Sequence, residues 1–408
     1  MATTQVEEES SSLQKQSYVL CVPMDSKIPK IRIRTQNAKE LENFRILVWI
    51  DEWNSDSWYP NGHFVKKVGE IGKQETEIES ILLENEILHP NFSEGMIQSL
   101  PCPTPANPWV PQPQEVEKRR DLRKSHRIFS IDPIGCEDID DAMSIRILSS
   151  KKKNVSKIEA STSPTLKTAE LFNPDPNFVH PKALYELGVH IADVTHFVSM
   201  DSLLDLEARR RGTTTYFPDR RLDMLPEVLS TNLCSLREKE DRYSVSVFWQ
   251  LDPSFNIVSV WMGRTVIRSV HALSYELADR IANDKCSEEE KNLLADFPLL
   301  RNEIPLLIEI GRHLLAQREG KGALELESVQ FSFDLSSSTP TALHTPKKLE
   351  VKKTVAEMMI LANRATAEFL HHHFPDSSLL RRHPPPKVKI QKNQFSFLTI
   401  TKVRTYFS

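Results

Sequence analysis

The segment DPIGCEDIDDAMS, residues 132–144, places Asp132, Asp138, Asp140 and Asp141 within ten residues, with Glu137 beside them and no basic residue between. Like charges this close repel, and burial strengthens the repulsion. A folded chain keeps such a cluster where water solvates it or where cations neutralise it. Adjacent Asp140 and Asp141 would point to opposite faces of a strand, so both reach one site only from a loop or a helix start. Asp132-Pro133, followed by Gly135, supplies a turn that folds the segment back on itself. All-oxygen donors favour Mg²⁺ or Mn²⁺ over Zn²⁺. The calcium-loop order, Asp-x-Asx-x-Asx-Gly with a closing Glu, is not met. An exposed acidic turn is the other reading of the same residues.

Outward from this segment the pattern mixes α and β. HRIFSI (126–131), AMSIRIL (142–148), LGVHIADV (187–194), YSVSVFWQL (243–251) and IVSVWMGRTVI (257–267) read as strands. Helices are expected over 203–211, near 274–283 and 304–319, and over 354–370, where Thr354 and Glu357 have capping-box spacing. His371–His373 then read as a frayed helix end. Residues 149–183, rich in Lys, Ser, Thr and Pro, read as an inserted mobile surface loop. Upstream, YVLCV (18–22), IRIR (31–34), FRILVWI (44–50) and HFVKKV (63–68) are β-rich, and Asn61-Gly62 is a turn signal. About five short strands in so few residues suggest an OB-type barrel. The predicted division is 1–17 disordered, 18–95 barrel, 96–115 proline-rich linker or draped segment, 116–386 catalytic core and 387–408 a tail without periodicity. The fold class is α+β: an OB-type, cold-shock-like β-barrel followed by a mixed α/β core.

Composition narrows the function classes. With 408 residues, the longest apolar run is Ile46–Ile50, far short of the ~20 residues of a membrane helix. Cys21, Cys102, Cys136, Cys234 and Cys286 form no CxxC pair, which argues against a zinc ribbon or a disulfide framework and for a reducing compartment. No GxGxxG or GxxxxGK[ST] is present, which disfavours the common nucleotide cradles. Net charge is −4, but six Lys or Arg lie in 117–127 and five Arg in 209–221, on either side of the aspartates. Basic clusters for phosphates and carboxylates for metal suit a nuclease, against the plainer reading of solvated surface. His190, Asp193 and His196 have metal-ligand types, but they lie in an apolar strand and read as structural.

The aspartate spacing resembles the signature of the RNase II/RNase R exoribonucleases, the RNB-domain family. Further blocks agree in order: GVHIADVTHFV (188–198), RGTTTYFPDRRLDMLPEVLSTNLCSL (211–236), GALELE (322–327), VAEMMILAN (355–363) and LLRRHPPP (379–386). YPNGHFVKKVGEIG (59–72) is similar to the cold-shock-type domain that precedes the RNB domain. The resemblance implies processive 3′–5′ hydrolysis of single-stranded RNA to nucleoside 5′-monophosphates with Mg²⁺, in cytoplasmic RNA decay. It implies that Asp132, Asp138, Asp140 and Asp141 are catalytic and hold up to two metal ions. It implies that Tyr216 stacks on the terminal bases and that Glu357 reads the ribose 2′-hydroxyl. Arg209, Arg210, Arg211, Arg220 and Arg221 become candidate phosphate ligands. The RNA exosome is the partner implied for the branch this wording matches, and no membrane is involved.

Family members continue past the HPPP segment into an arginine-bearing block that is not found here. The core is therefore expected to be incomplete at its C-terminal end, and the part that docks on the exosome is expected to be missing. The alternative function is accordingly a truncated, catalytically impaired RNA-binding isoform of low stability. A metal-dependent DNase is the weaker third reading.

Overall fold

The computed structural model describes residues 2–5, 17–36, 38–87, 89–104, 106–148, 171–217, 220–294, 297–323, 332–333, 343–344 and 348–381. The chain forms two compact units, Met1–Phe92 with Arg209–Thr213, and Ser93–Ala208 with Thr214–Ser408.

The first unit is a closed five-stranded barrel. Its strands are β1 (Ala2–Gln5), β2 (Ser17–Pro23), β3 (Ile31–Thr35), β4 (Phe44–Glu52) and β5 (Asn61–Glu70), in the order β1-β2-β3-β5-β4. Neighbours are antiparallel except β3 and β5. Alternation puts Val19, Cys21, Ile31, Ile33 and Ile46 inside, with Ala38 and Leu41 of the short helix α1 (Ala38–Leu41). Helix α2 (Gln74–Glu84) follows, and Arg45 on β4 pairs with its Glu77 at 3.0 Å.

Two expectations change here. Ala2–Gln5 pairs with β2 and β4, where disorder was expected; backbone pairing needs no apolar side chain. Asn61-Gly62 opens β5 rather than forming a turn, and the connection runs over 53–60. Gly62 serves close approach instead: a Cβ there would lie 2.2 Å from the Trp49 carbonyl oxygen.

The second unit is built on a six-stranded sheet. Short helices α3 (Glu94–Ile97) and α4 (Pro113–Glu117) lead into β6 (Arg120–Asp121), β7 (Ile128–Asp132), β8 (Asp141–Ile147) and β9 (Tyr185–Ala192). After α5 (Leu203–Arg211) comes a small ribbon of β10 (Thr215–Tyr216) and β11 (Arg221–Leu222), then the long strands β12 (Asp241–Leu251) and β13 (Ile257–Ser274). The sheet order is β12-β9-β8-β7-β13-β6, with β12 also paired to β13. Helices α6 (Tyr275–Ala282), α7 (Glu288–Leu293), α8 (Phe297–Gly320) and α9 (Glu350–His373) follow, and strands β14 (Ser332–Phe333) and β15 (Leu343–His344) pair between the last two. Trp249, Met143, Leu187 and Val189 from the strands meet Leu300, Ile304 and Met358 from the helices in one apolar core.

Several segments pack more tightly than expected. Residues 171–183 are not a loop dispensable to the core: Phe172 bridges to Val260 and packs against Phe369, and the Gln250 amide donates to the Phe178 carbonyl at 2.6 Å. Apolar anchors among the polar residues hold this half, while 149–170 lie outside the described residues. The proline-rich stretch is draped, with Trp109 packed edge-on against Phe197 and Tyr243. Helix α9 starts at Glu350, so Thr354 lies inside it and bonds back to the Glu350 carbonyl; no capping box forms. His371–His373 are its last turn, not a frayed end. Residues 382–408, including the expected tail, lie outside the described residues.

The basic run 117–127 is largely structural. Arg119 is buried against Asp193 at 2.8 Å, and Arg120 stacks over Phe248 and Trp261. Arg123 bridges Asp121 and Asp241, and Arg127 pairs with Glu303.

Candidate active site

Strand β7 ends at Asp132 and β8 begins at Asp141, so the acidic segment is the loop between two central strands. Gly135 takes φ +80°, a left-handed conformation open to glycine, and the Cys136 amide closes a turn on the Pro133 carbonyl at 3.1 Å. The return limb is pinned from the side. Ser235 donates to the Glu137 carbonyl at 2.7 Å and accepts from the Ile139 amide at 3.1 Å. The Leu236 amide donates to the Ile139 carbonyl at 2.8 Å, and Ile139 is buried. These anchors follow a single wide turn of π-type helix, Val228–Leu233, which the sequence did not announce. The Asp140 carbonyl accepts from Ala192 at 3.0 Å, and Asp141 pairs with Ile191 in the ladder. Asp140 thus projects from the loop end while Asp141 occupies the first ladder position.

The carboxylates crowd one another. Burial raises the Asp132 carboxyl, and Asp138 adds to this, while the nearby Ser130 hydroxyl works the other way. Partial burial, then Asp138 and Asp132, raise Asp140. Burial, then Asp132 and Asp140, push Asp141 up to about 6. Oδ2 of Asp132 is buried with no hydrogen-bond partner among the described residues.

Asp138 is differently placed. Arg221 meets its Oδ1 at 2.7 Å, and the Tyr216 hydroxyl donates to its Oδ2 at 3.3 Å. Tyr216 and Arg221 face each other across the β10–β11 ribbon, and Arg221 is held from its other side by Asp223 at 3.0 Å. Tyr216 is 69% exposed. Tyr275, which opens α6 beside the Ser274–Asp132 pairing of β13 and β7, lies near the aspartates and was missed by sequence reasoning. Burial raises its phenol, and Asp132 and Asp141 raise it further. Its only signal was a tyrosine at a strand-to-helix junction.

The other sequence candidates go elsewhere. Glu357 is buried on α9, and Arg318 of α8 holds both its oxygens, at 3.1 and 2.6 Å. Arg209 and Arg211 belong to the first unit, where Arg211 lies over the Phe92 ring and donates to the Pro90 carbonyl. Arg220 is exposed at the ribbon end, and its carbonyl accepts from Phe217 at 2.8 Å. His190, Asp193 and His196 are structural: His190 bonds Ser144 and Ser246, Asp193 pairs with Arg119, and His196 packs on Tyr243.

Among the described residues, no three acidic, histidine or cysteine side chains converge as a ready-made shell. Asp138 is instead turned to Arg221. The donor set nonetheless fits a hard cation: all donors are carboxylate oxygens, three are raised by burial and mutual repulsion, and one buried oxygen lacks a partner.

Comparison with known proteins decides the family. The RNB domain family model matches residues 119–405, and that of the Dis3-like cold-shock domain 2 (CSD2) matches 18–86. The chain belongs to the RNB family. The RNB match runs past Pro386, where the sequence reading ended the family likeness. A probable exosome complex exonuclease RRP44 of Caenorhabditis elegans is 40% identical over 378 residues, covering 90% of this chain and 34% of the relative. The chain thus spans about a third of the length of the curated relatives it matches. The apo form of Mycoplasma genitalium RNase R superposes with a TM-score of 0.72 at 20% identity, over 99% of this chain and 56% of that one. Yeast Ssd1, a pseudonuclease, superposes at 0.60 with 21% identity, over 92% and 42%. These two likenesses concern fold alone.

Proposed function

We propose that this chain hydrolyses single-stranded RNA from the 3′ end, processively, releasing nucleoside 5′-monophosphates in cytoplasmic RNA decay. The observation that supports it is the four-aspartate loop between two central strands, with a buried oxygen that has no hydrogen-bond partner among the described residues and an exposed tyrosine beside it. Mg²⁺, or Mn²⁺, held by Asp132, Asp138, Asp140 and Asp141 would supply an activated water and stabilise the departing 3′-oxygen. The protein's own part is positional. Tyr216 stacks on the terminal base, which suits a sequence-blind enzyme because every base has a π-face. Arg221 meets a phosphate oxygen when Asp138 releases it, and Arg220 extends the cationic edge. Arg209 and Arg211 remain candidate phosphate ligands of the first unit. Glu357 is paired with Arg318 between α8 and α9, and the ribose-reading role that the resemblance implies would require that pair to open.

The test is decay of a 3′-tailed, 5′-labelled single-stranded RNA with Mg²⁺, beside Asp140→Asn and an EDTA arm. A ladder shrinking to a short end product in the parent alone supports the proposal. If both proteins bind RNA and neither shortens it, the chain is an RNA-binding module and the enzyme reading fails.

A further inference from the structure

We propose that the tip of the β4–β5 hairpin, Trp49 to Tyr59, is a docking surface for a protein segment that presents arginine or lysine side chains. Three of the six tryptophans of the chain lie within residues 49–58. Trp49, Trp53 and Trp58 are 65%, 59% and 89% exposed. The remaining three are packed: Trp249 is fully buried, Trp109 sits against Phe197 and Tyr243, and Trp261 lies against Phe248. Large apolar rings left in water in one place mark interaction sites rather than chance exposure.

The tip is ordered before any partner arrives. The Trp53 indole N–H donates to the Ser57 carbonyl at 3.0 Å, and the Ser57 hydroxyl donates to the Tyr59 carbonyl at 2.7 Å. The Asn61 amide donates to Glu52 at 3.2 Å. Trp49 stands opposite His63 in the ladder, and His63 lies 2.8 Å from Asp51, so indole, imidazole and carboxylate share one face. A rigid platform binds without an ordering cost of its own.

Charge selects the occupant. Residues 46–62 contain Asp51, Glu52 and Asp56 and no Lys or Arg. A nucleic-acid backbone needs cations and would meet three carboxylates here. A cationic side chain gains twice, from the carboxylates and from the indole faces, tryptophan being the strongest cation–π acceptor. The chain already makes this contact internally, with Arg120 over Trp261 at 4.9 Å. Tryptophan and arginine are also the side chains that dominate binding energy at protein interfaces.

The test uses the full chain and a fluorescent twelve-residue peptide of alternating Gly and Arg, with an alternating Gly and Asp peptide and a dodecauridylate RNA as comparisons. Anisotropy titration should show saturable binding of the Arg peptide only among the two peptides. Trp49→Ala/Trp53→Ala/Trp58→Ala should weaken it at least tenfold, as should Asp51→Asn/Asp56→Asn, while the triple variant leaves RNA affinity unchanged. Should the triple variant lose its thermal transition, Trp58→Ala replaces it, with a several-fold loss expected. Three results overturn the proposal: no saturable Arg-peptide binding, Arg-peptide binding insensitive to the tryptophans, or a tryptophan dependence seen for RNA and not for the peptide.

Discussion

Asp141 begins a central strand with its carboxyl pushed up to about 6 by burial, Asp132 and Asp140. In the unfolded chain an aspartate titrates near 3.9. Folding therefore favours the protonated form: its contribution is complete below the unfolded value and is lost as pH rises through about 6. At neutral pH the metal-free cluster is a source of instability that a divalent cation would relieve. Mg²⁺ should raise the melting temperature clearly near pH 7.5 and much less near pH 5. Asp141→Asn should raise the metal-free melting temperature at pH 7.5 and shrink the Mg²⁺ increment; a parent whose Mg²⁺ response is the same at both pH values would contradict this. Tyr216 is tested separately. Tyr216→Ala should weaken single-stranded RNA binding by about 1–3 kcal/mol, while Tyr216→Phe keeps the ring and most of the affinity. Equal losses in both variants would point to the hydroxyl bond with Asp138 rather than to stacking. The aspartates were legible in sequence because four identical charges in ten residues demand an explanation. The Arg221–Asp138 pair was not, because the long stretch of chain between them hides which arginine of a run folds back.

At the scale of elements, α9 shows how a local signature can be outvoted. Thr354 and Glu357 have the spacing of a cap, yet the helix begins four residues earlier and Glu357 is used across the α8–α9 interface. Its carboxylate is buried and ion-paired with Arg318, which gives a sharp asymmetry between breaking the pair and replacing it. Arg318→Met should destabilise the chain by about 3 kcal/mol, because a buried carboxylate is left uncompensated. Arg318→Met/Glu357→Met should recover most of that loss, since no charge then remains buried. Urea midpoints of the two variants decide it; an unrecovered double variant would mean that Arg318 acts through other contacts. Strand positions were read well because alternation with β-branched residues has few competing explanations. Asn61-Gly62 misled because glycine answers two needs, a turn and a close backbone approach, and sequence alone does not tell them apart.

At the scale of the second unit, the sheet carries a polar ladder through its interior. His190 bonds Ser144 at 3.0 Å and Ser246 at 2.7 Å, and Thr265 meets both Ser246 and Ser244 at 2.6 Å, so β8, β9, β12 and β13 are stitched by side chains as well as backbone. Gly188 makes the room: a Cβ there would fall 2.5 Å from the Ser144 hydroxyl. Burial, with some help from His126 and Arg120, pushes the His190 imidazole down to about 3, so the folded protein holds it neutral. The unfolded chain protonates it near 6.5. Its stabilising contribution is therefore present above about 6.5 and is lost as pH falls toward 3. Lowering pH from 7.5 to 5 should cost about 2 kcal/mol from this residue alone, well before the carboxylates titrate in the unfolded chain. His190→Gln can keep both hydroxyl bonds without a titrating group. That variant is expected to be less stable at pH 7.5, because the amide fills the space less well, and to lose less between pH 7.5 and 5 than the parent. Urea midpoints at the two pH values measure this, and parallel losses in parent and variant would place the acid sensitivity elsewhere, with His126 beside Glu186 the next group to exchange.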